Sequence, residues 1–539
     1  MKRRDLLNGL SLATLSITSA RAQSMLGVSS APAPSVPAPA APLAAAAQTQ
    51  APKLDDTVGA GFNRIVIARW GDALLPDAPA FNPNALTADQ ARSQFPYDAV
   101  IAGLIAPPPA QDGIPRLVMV VANPTAPARM VFPGGVDIPD VAGRLQGATI
   151  LNLQYMSGRW VTVDGGYQSR RISDGTLCEI TGPVAAVIGS TVQGLLAPQA
   201  GCATPWGNAL LAEGNAAPWL KRLAGVGYGY DDPAQAPRFG WVAELNALDP
   251  GAFPIKRTAL GRFARAGIAA TATQDGRAVI FMSQDAPGGY LFRFIAATAA
   301  TDGTALDSGT LAVAQITGDG IGWIDLPNTV PALVGAVDAA ANAGGSPFDA
   351  PGGIAIATDN SAIYLACGGN AARTVPDALN PRTGDDNGHI VALTPPGGDV
   401  TAKSFAGKVV LSAGNPATTP GTDYAAGSNG WLRKPRTLNL APSGALWIGT
   451  DQKGDTSLGA DGLFIMQTGG PSPYLLSTAY LAPIGAAMGG VGFGGKTVFA
   501  AVRHPGATPG ASFNAPATRW PTLRPDMPPQ TTIIGLVRV

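Results

Sequence analysis

One pattern recurs along this chain and limits its fold more than any other: a short apolar strand, a tight turn and a second apolar strand. Gly267-Ile-Ala-Ala-Thr-Ala-Thr passes through Gln274-Asp275-Gly276 into Ala278-Val-Ile-Phe-Met. Gly353-Ile-Ala-Ile-Ala turns at Thr358-Asp-Asn-Ser into Ala362-Ile-Tyr-Leu-Ala. Thr437-Leu-Asn-Leu turns at Ala441-Pro-Ser-Gly into Ala445-Leu-Trp-Ile-Gly, and Gly490-Val-Gly-Phe turns at Gly494-Gly-Lys into Thr497-Val-Phe-Ala-Ala. Apolar runs this short, bounded by Gly, Asp, Asn and Pro, are strands rather than helices.

The first three hairpins begin roughly 85 residues apart, wider than the ~40–45 residues of a compact propeller blade. The expected fold is therefore all-β: a β-propeller whose blades carry long insertions, with an irregular pair of β-sandwiches as the alternative. Such a ring hides its strand edges by radial repetition. The chain ends are suited to closing it. Arg64-Ile-Val-Ile-Ala-Arg near the start and Thr532-Ile-Ile-Gly-Leu-Val-Arg-Val at the end both read as strands, and they could share one blade.

The amino terminus reads as an export leader over residues 1–22. Lys2, Arg3 and Arg4 precede an apolar run from Leu6, and Ala20-Arg21-Ala22 supplies a small-residue cleavage site. The Arg3-Arg4 pair resembles a twin-arginine signal, with a Sec signal that carries two arginines as the alternative; both predict export. Residues 23–53 are Ala/Pro-rich and read as a disordered linker, leaving 54–539 as the folded propeller domain. Cleavage near Ala22 would place the protein in the periplasm or outside the cell. Only 13% of residues are charged and the formal net charge is zero, with no basic stripe, so nucleic-acid binding has no electrostatic footprint. The most apolar internal segment, Val184 to Leu196, is too short to span a bilayer. A monomer is expected. Cys178, Cys202 and Cys367 allow one disulfide, with no pairing favoured.

Common catalytic constellations are missing. There are two histidines, His389 and His504, and no Gly-x-Ser-x-Gly elbow, paired-cysteine zinc spacing or P-loop. An ordered set of longer stretches instead resembles the PhoX-type alkaline phosphatases of bacteria. The set comprises Arg69-Trp-Gly-Asp72, Cys202-Ala-Thr-Pro-Trp-Gly207, Gly240-Trp-Val-Ala-Glu-Leu245, Leu260-Gly-Arg-Phe263, Asn380-Pro-Arg382, Gly388-His-Ile390, Thr394-Pro-Pro-Gly-Gly-Asp399, Thr450-Asp451 and Arg503-His-Pro-Gly506. The resemblance implies a six-bladed propeller, twin-arginine export and a phosphomonoesterase site holding calcium and iron. Calcium takes oxygen ligands, mostly carboxylates. Clustered cations polarise the phosphate, and an arginine clamps its oxygens.

The carboxylates that such a site needs are largely replaced. The family's Asn-His-Glu is Asn123-Pro124-Thr125 here, and its His-Glu after Gly-Arg-Phe is Arg265-Ala266. Its Cys-Glu-Glu-Asn is Ala212-Glu213-Gly214-Asn215, and its Gly-Asp-Asp is Ser283-Gln284-Asp285. Its Arg-Pro-Glu, Pro-Asp-Asn and Gly-Ala-Glu are Ala350-Pro351-Gly352, Pro435-Arg436-Thr437 and Gly485-Ala486-Ala487. The remaining candidates are Arg382 as the catalytic arginine, Cys202, Glu213 and Asp285 as metal ligands, and Asn380 and His389 as ligand-binding groups. A plainer role stays open for each: a buried thiol, ion pairs with nearby arginines, or loop bracing. Asp385-Asp386-Asn387 can hold a lone calcium or form an Asx turn. Three functions remain: a PhoX-like propeller with a degenerate metal centre, weak or no phosphatase activity and a small phosphorylated ligand; an active calcium- and iron-dependent alkaline phosphatase; and an envelope interaction protein.

Overall fold

The computed structural model describes residues 50–539. The expected leader, and the Ala/Pro-rich segment up to residue 49, lie outside them. Backbone contacts begin ahead of Leu54. The Gln50 carbonyl accepts from Ala460 N at 2.8 Å, and that of Lys53 accepts from Ile484 N at 2.7 Å.

Six antiparallel blades surround an axis. Their innermost strands are, in order, Val100–Ile105, Pro198–Ala203, Arg265–Ala272, Pro351–Ile356, Pro435–Leu440 and Ala487–Gly494. Each lies against the next, and the sixth against the first, so the ring is closed. The four recurring hairpins of the sequence are the first two strands of blades three to six. Blades one and two have the same core, with second strands Arg116–Asn123 and Ala209–Glu213. Blade two adds Leu177–Thr181, which runs parallel to Ile255–Arg257. Strand Gly320–Asp325 pairs with Ser404–Ser412 and joins blades three and four into one sheet.

Closure uses both chain ends. Phe62–Arg69 pairs antiparallel with Thr532–Arg538, which also pairs with Thr497–Arg503. Blade six thus takes its outer strands from both ends of the domain.

Each blade is apolar on both faces. Val118, Val120 and Ala122 pack against Leu211, Ala243 and Leu245 of blade two, while Met119 and Val121 pack against Phe499, Ala501 and Ile533 of blade six. Six such layers fill the six gaps between blades. A strand buried on both sides shows no polar alternation, which explains runs such as Ala278-Val-Ile-Phe-Met. Near the axis the blades crowd. A Cβ at Gly267 would stand 2.2 Å from the Gly352 carbonyl oxygen, and one at Gly489 2.2 Å from that of Ala99. Only glycine permits that approach.

The insertions carry short helices, including Pro139–Leu145, Ala217–Arg222 and Ala336–Asn342. Among the described residues no helix is long and apolar enough to cross a membrane. All three cysteines are free.

Removing residues 531–539 would strip the strand that is hydrogen-bonded on both sides and expose the core residues that Ile533, Ile534 and Leu536 cover, among them Val498, Phe499 and Ala501. The truncated protein should show no cooperative thermal transition by circular dichroism. A sharp transition near that of the full chain would mean that closure by the last strand is dispensable.

Candidate functional site: the axial cavity

The ring encloses an axial cavity of about 1580 Å³. All six innermost strands run down it in the same sense. Loops between second and third strands therefore gather at the end where the innermost strands begin, and first-to-second-strand turns gather at the other. The first end is the charged mouth. Its lining includes Asp285, Asp386, Lys434, Arg436, Asp451, Lys453 and Arg503. The far end is lined by Thr358, Asp359, Ser361, Pro442 and Thr468.

The mouth is organised by ion pairs. Arg503 closes the second strand of blade six and reaches across the seam to Asp98, just before blade one. Its Nε and Nη2 donate to the two Asp98 oxygens at 2.9 and 3.0 Å, a bidentate pair with the carboxylate fully buried. Thr125 Oγ1 also donates to Asp98 at 2.7 Å. Burial pushes the Asp98 carboxyl up, but Arg503, then His504 and these hydrogen bonds, outweigh it and hold the group down at about 2. His504, whose Nε2 lies 3.7 Å from Asp98, is held below the ordinary histidine range by burial. Arg436 Nη2 donates to Asp285 Oδ1 at 3.0 Å, and Lys434 pairs with Asp386. The Arg503 Nη1 lies 3.7 Å from Asp451 Oδ2.

The six sequence candidates do not meet in one place. Asp285 and Cys202 line the cavity; Glu213, Asn380, Arg382 and His389 do not. Cys202 stands in the far half, against the layer between blades two and three. Burial pushes its thiol up to about 12, so it is no thiolate. Glu213 is fully buried behind the wall. It accepts from Lys256 Nζ at 2.8 Å and from the backbone N–H groups of Leu196, Gly240 and Trp241 at 2.9, 2.8 and 3.1 Å. Both its oxygens are committed. Arg382 donates to the Ala413 and Gly388 carbonyls at 2.8 and 2.7 Å and to Asp385 at 2.8 Å. The Asn380 amide bonds Asp377 and Asp349 N, and His389 Nε2 donates to the Leu379 carbonyl at 2.8 Å. These three side chains brace the loop of blade four. Asp385 accepts from Asn387 N at 2.9 Å, which is the Asx turn.

Arg265, where the resemblance places a histidine, is fully buried. It donates to the carbonyls of Gly240, Phe263, Leu260 and Gly261. The residues present do not fit the calcium and iron set that the resemblance implies. Calcium wants about six to eight oxygens. The mouth's Asp285 and Asp386 each face a basic side chain, and Asp451 lies nearest Arg503. Among the described residues no three His, Cys, Asp or Glu side chains gather closely enough to hold a metal.

Thr450-Asp451 and Arg503-His504 stand in matched stretches that carry no site role from the sequence, and no sequence signal marks Lys434, Lys453 or Asp98. The signal for Arg436 was present: it stands where the resemblance expects an aspartate.

Fold and cavity together define a six-bladed propeller with a large chamber on the ring axis. The chain belongs to the PhoX family of alkaline phosphatases: the family model "Alkaline phosphatase PhoX" matches residues 44–506. Pseudomonas fluorescens PhoX, solved in complex with vanadate, a transition state analogue, is 25% identical with a TM-score of 0.79, over 93% of this chain and 97% of that one. A Xanthomonas campestris gluconolactonase is 9% identical with a TM-score of 0.27, over 83% of this chain and 99% of that one, too low to bear on fold or function. No curated protein matches the chain in sequence.

Two measurements check this site. Glu213→Ala leaves the Lys256 ammonium buried without its counter-charge and three N–H groups without an acceptor. It should cost about 3–5 kcal/mol in urea unfolding; a loss below ~1 kcal/mol would mean the pair is not structural. Asp98 carries a lowered pKa, so its contribution is present above the unfolded value near ~3.9 and is lost as pH falls through about 2. The stability gap between the native chain and Asp98→Asn should therefore be constant above pH 5 and narrow steadily toward pH 2.

Proposed function

We propose that this chain is an exported PhoX-family propeller that keeps the fold but has lost most of the metal-dependent phosphomonoesterase chemistry, its axial cavity now serving to bind a small phosphorylated ligand. The observation that carries this reading is the pairing at the mouth. Asp285 and Asp386 are engaged by Arg436 and Lys434, and Glu213 is engaged by Lys256 and backbone. A multi-cation cluster needs free carboxylates to offset the repulsion among its ions. Fold likeness alone does not supply the chemistry. Export rests on the sequence of the leader, and the twin-arginine pair suits a protein that folds before crossing the membrane.

A second reading, an active metal-dependent phosphatase, draws on family membership and on the likeness to the vanadate-bound relative. Metal analysis and turnover separate the two. The exported form, purified and incubated with calcium and iron salts, should bind far less than one ion per chain and hydrolyse p-nitrophenyl phosphate at the rate of the buffer blank. Stoichiometric metal with chelator-sensitive turnover would establish the phosphatase instead.

A further inference from the structure

Among the described residues the fold buries seven carboxylates, and six of them face a basic side chain. Asp98, Asp174, Glu213, Glu244, Asp349 and Asp385 pair with Arg503, Arg144, Lys256, Arg257, Arg373 and Arg382 in turn. The seventh, Asp461, is 6% exposed and has no ion pair among the described residues. A buried carboxylate without a counter-charge is costly, and it escapes the cost by taking up a proton.

The local geometry has a place for that proton. Asp461 Oδ1 accepts from Thr450 Oγ1 at 2.6 Å and from Gln452 N at 3.1 Å, while Oδ2 accepts only from that same N–H, at 3.0 Å. The Gln452 side chain stands beside the carboxyl. Its Nε2 donates to the Gly459 carbonyl at 3.2 Å, and its Oε1 is buried with no donor. This corner is short of donors, not of acceptors. A proton on Asp461 cancels the charge and supplies one. Burial, and after it the neighbouring Asp451, push the carboxyl up to about 7.

The position of Asp461 gives the proton a consequence. The residue ends the loop 451–461, between the second and third strands of blade five, which brings Asp451 and Lys453 to the cavity mouth. Through Thr450 and Gln452 it grips the chain on either side of Asp451. The same loop rests on blade six, where a Cβ at Gly454 would stand 2.3 Å from the Ala507 carbonyl oxygen. Of the charged groups around it, Asp451, Lys453 and Asp455 lie on the loop. Arg503, His504 and Arg436 face Asp451, and Arg433 and Lys434 face Asp455. Lys53, on the amino-terminal segment, turns its ammonium to Thr57, and the neighbouring stretch Pro483-Ile-Gly-Ala486 is uncharged.

We propose that Asp461 is a proton-operated latch on the cavity mouth: protonated, it holds the loop 451–461 against blade five, and ionised, it loosens that loop together with Asp451 and Lys453. Asp461 acts through Thr450 and Gln452, so it is a positioning residue. The latch goes beyond the functional reading above and does not depend on what the cavity binds. Linkage sets the direction. The docked carboxyl titrates above the free value near ~3.9, so an opened loop gives up the proton first. The latch is strongest below about pH 4, weakens by about tenfold per pH unit up to about 7, and is level beyond.

Hydrogen exchange of the purified exported form and of Asp461→Asn tests this, read by mass spectrometry from pH 5 to pH 8 and corrected for intrinsic exchange rates. In the native protein, opening of peptides that cover 451–462 should rise by about a hundredfold from pH 5 to pH 7 and level off by about pH 8. Peptides of blade three should show no such rise. In Asp461→Asn, which keeps the shape of the side chain and cannot ionise, the loop peptides should lose the pH dependence. Asp451 and His504 titrate in both proteins, so the difference isolates Asp461. The same rise in native protein and variant would overturn the proposal. So would a native profile that is flat between pH 5 and pH 7, whether or not the variant folds.

Discussion

Every blade of this propeller is apolar on both faces, so none can stand at the end of a row. A single open gap would leave two sheets' worth of Ala, Val, Ile and Phe in water, at roughly 25 cal/mol for each Å² exposed. The ring must close, and the closing blade is built from both ends of the domain. The wedge shape of the layers follows. Bulky side chains such as Phe281, Trp323 and Phe405 pack together in the layer between blades three and four, while the inner strands carry Gly and Ala. Where Gly267 and Gly489 meet a neighbouring blade's carbonyl, no other residue fits.

That same crowding defines the chamber. Small residues on the inner strands leave a void along the axis. The loops from second to third strands, together with the start of the innermost strand of blade five and the end of the second strand of blade six, supply the charges at one end. The Arg503–Asp98 pair belongs to both systems. It ties blade six to blade one at the seam of the ring, and it fixes a guanidinium at the cavity mouth. With its carboxylate buried and hydrogen-bonded by Thr125 as well, the pair is positioned by the fold and not by a ligand.

The sequence was most legible where strands are buried on both faces and joined by tight turns. Blades three to six announced themselves through continuous apolar runs around Gly- and Asp-containing turns, and the end strands announced the closure. Blades one and two were missed for local reasons. The blade-one hairpin is interrupted by the long segment Ala106-Pro-Pro-Pro-Ala-Gln-Asp-Gly-Ile-Pro115, and that of blade two turns at Thr204-Pro-Trp-Gly-Asn208. Neither resembles a tight turn. Site residues were harder to read, because a motif reports which residues are alike and not which way they face. Glu213 is the one carboxylate kept in an otherwise replaced motif, and Asn380, Arg382 and His389 lie in the most specific block, yet all four hold loops and strands together. A buried carboxylate with a lysine and three backbone donors would be retained for folding alone.

A reversal of charge is more telling than a retained carboxylate. Loss of one ligand weakens a metal site; a cation in its place opposes the metal directly. Two unit charges 4 Å apart interact by about 4 kcal/mol at an effective dielectric of ~20, so a divalent ion beside a guanidinium is opposed by about 8 kcal/mol. Arg436 lines the mouth where the resemblance expects an aspartate, and it already holds Asp285, the one candidate ligand that faces the mouth. A single substitution of this kind both removes a ligand and neutralises another. It also leaves the guanidinium Nε and Nη1 without a protein acceptor at the cavity mouth, so the residue that opposes a metal centre keeps donors to spare.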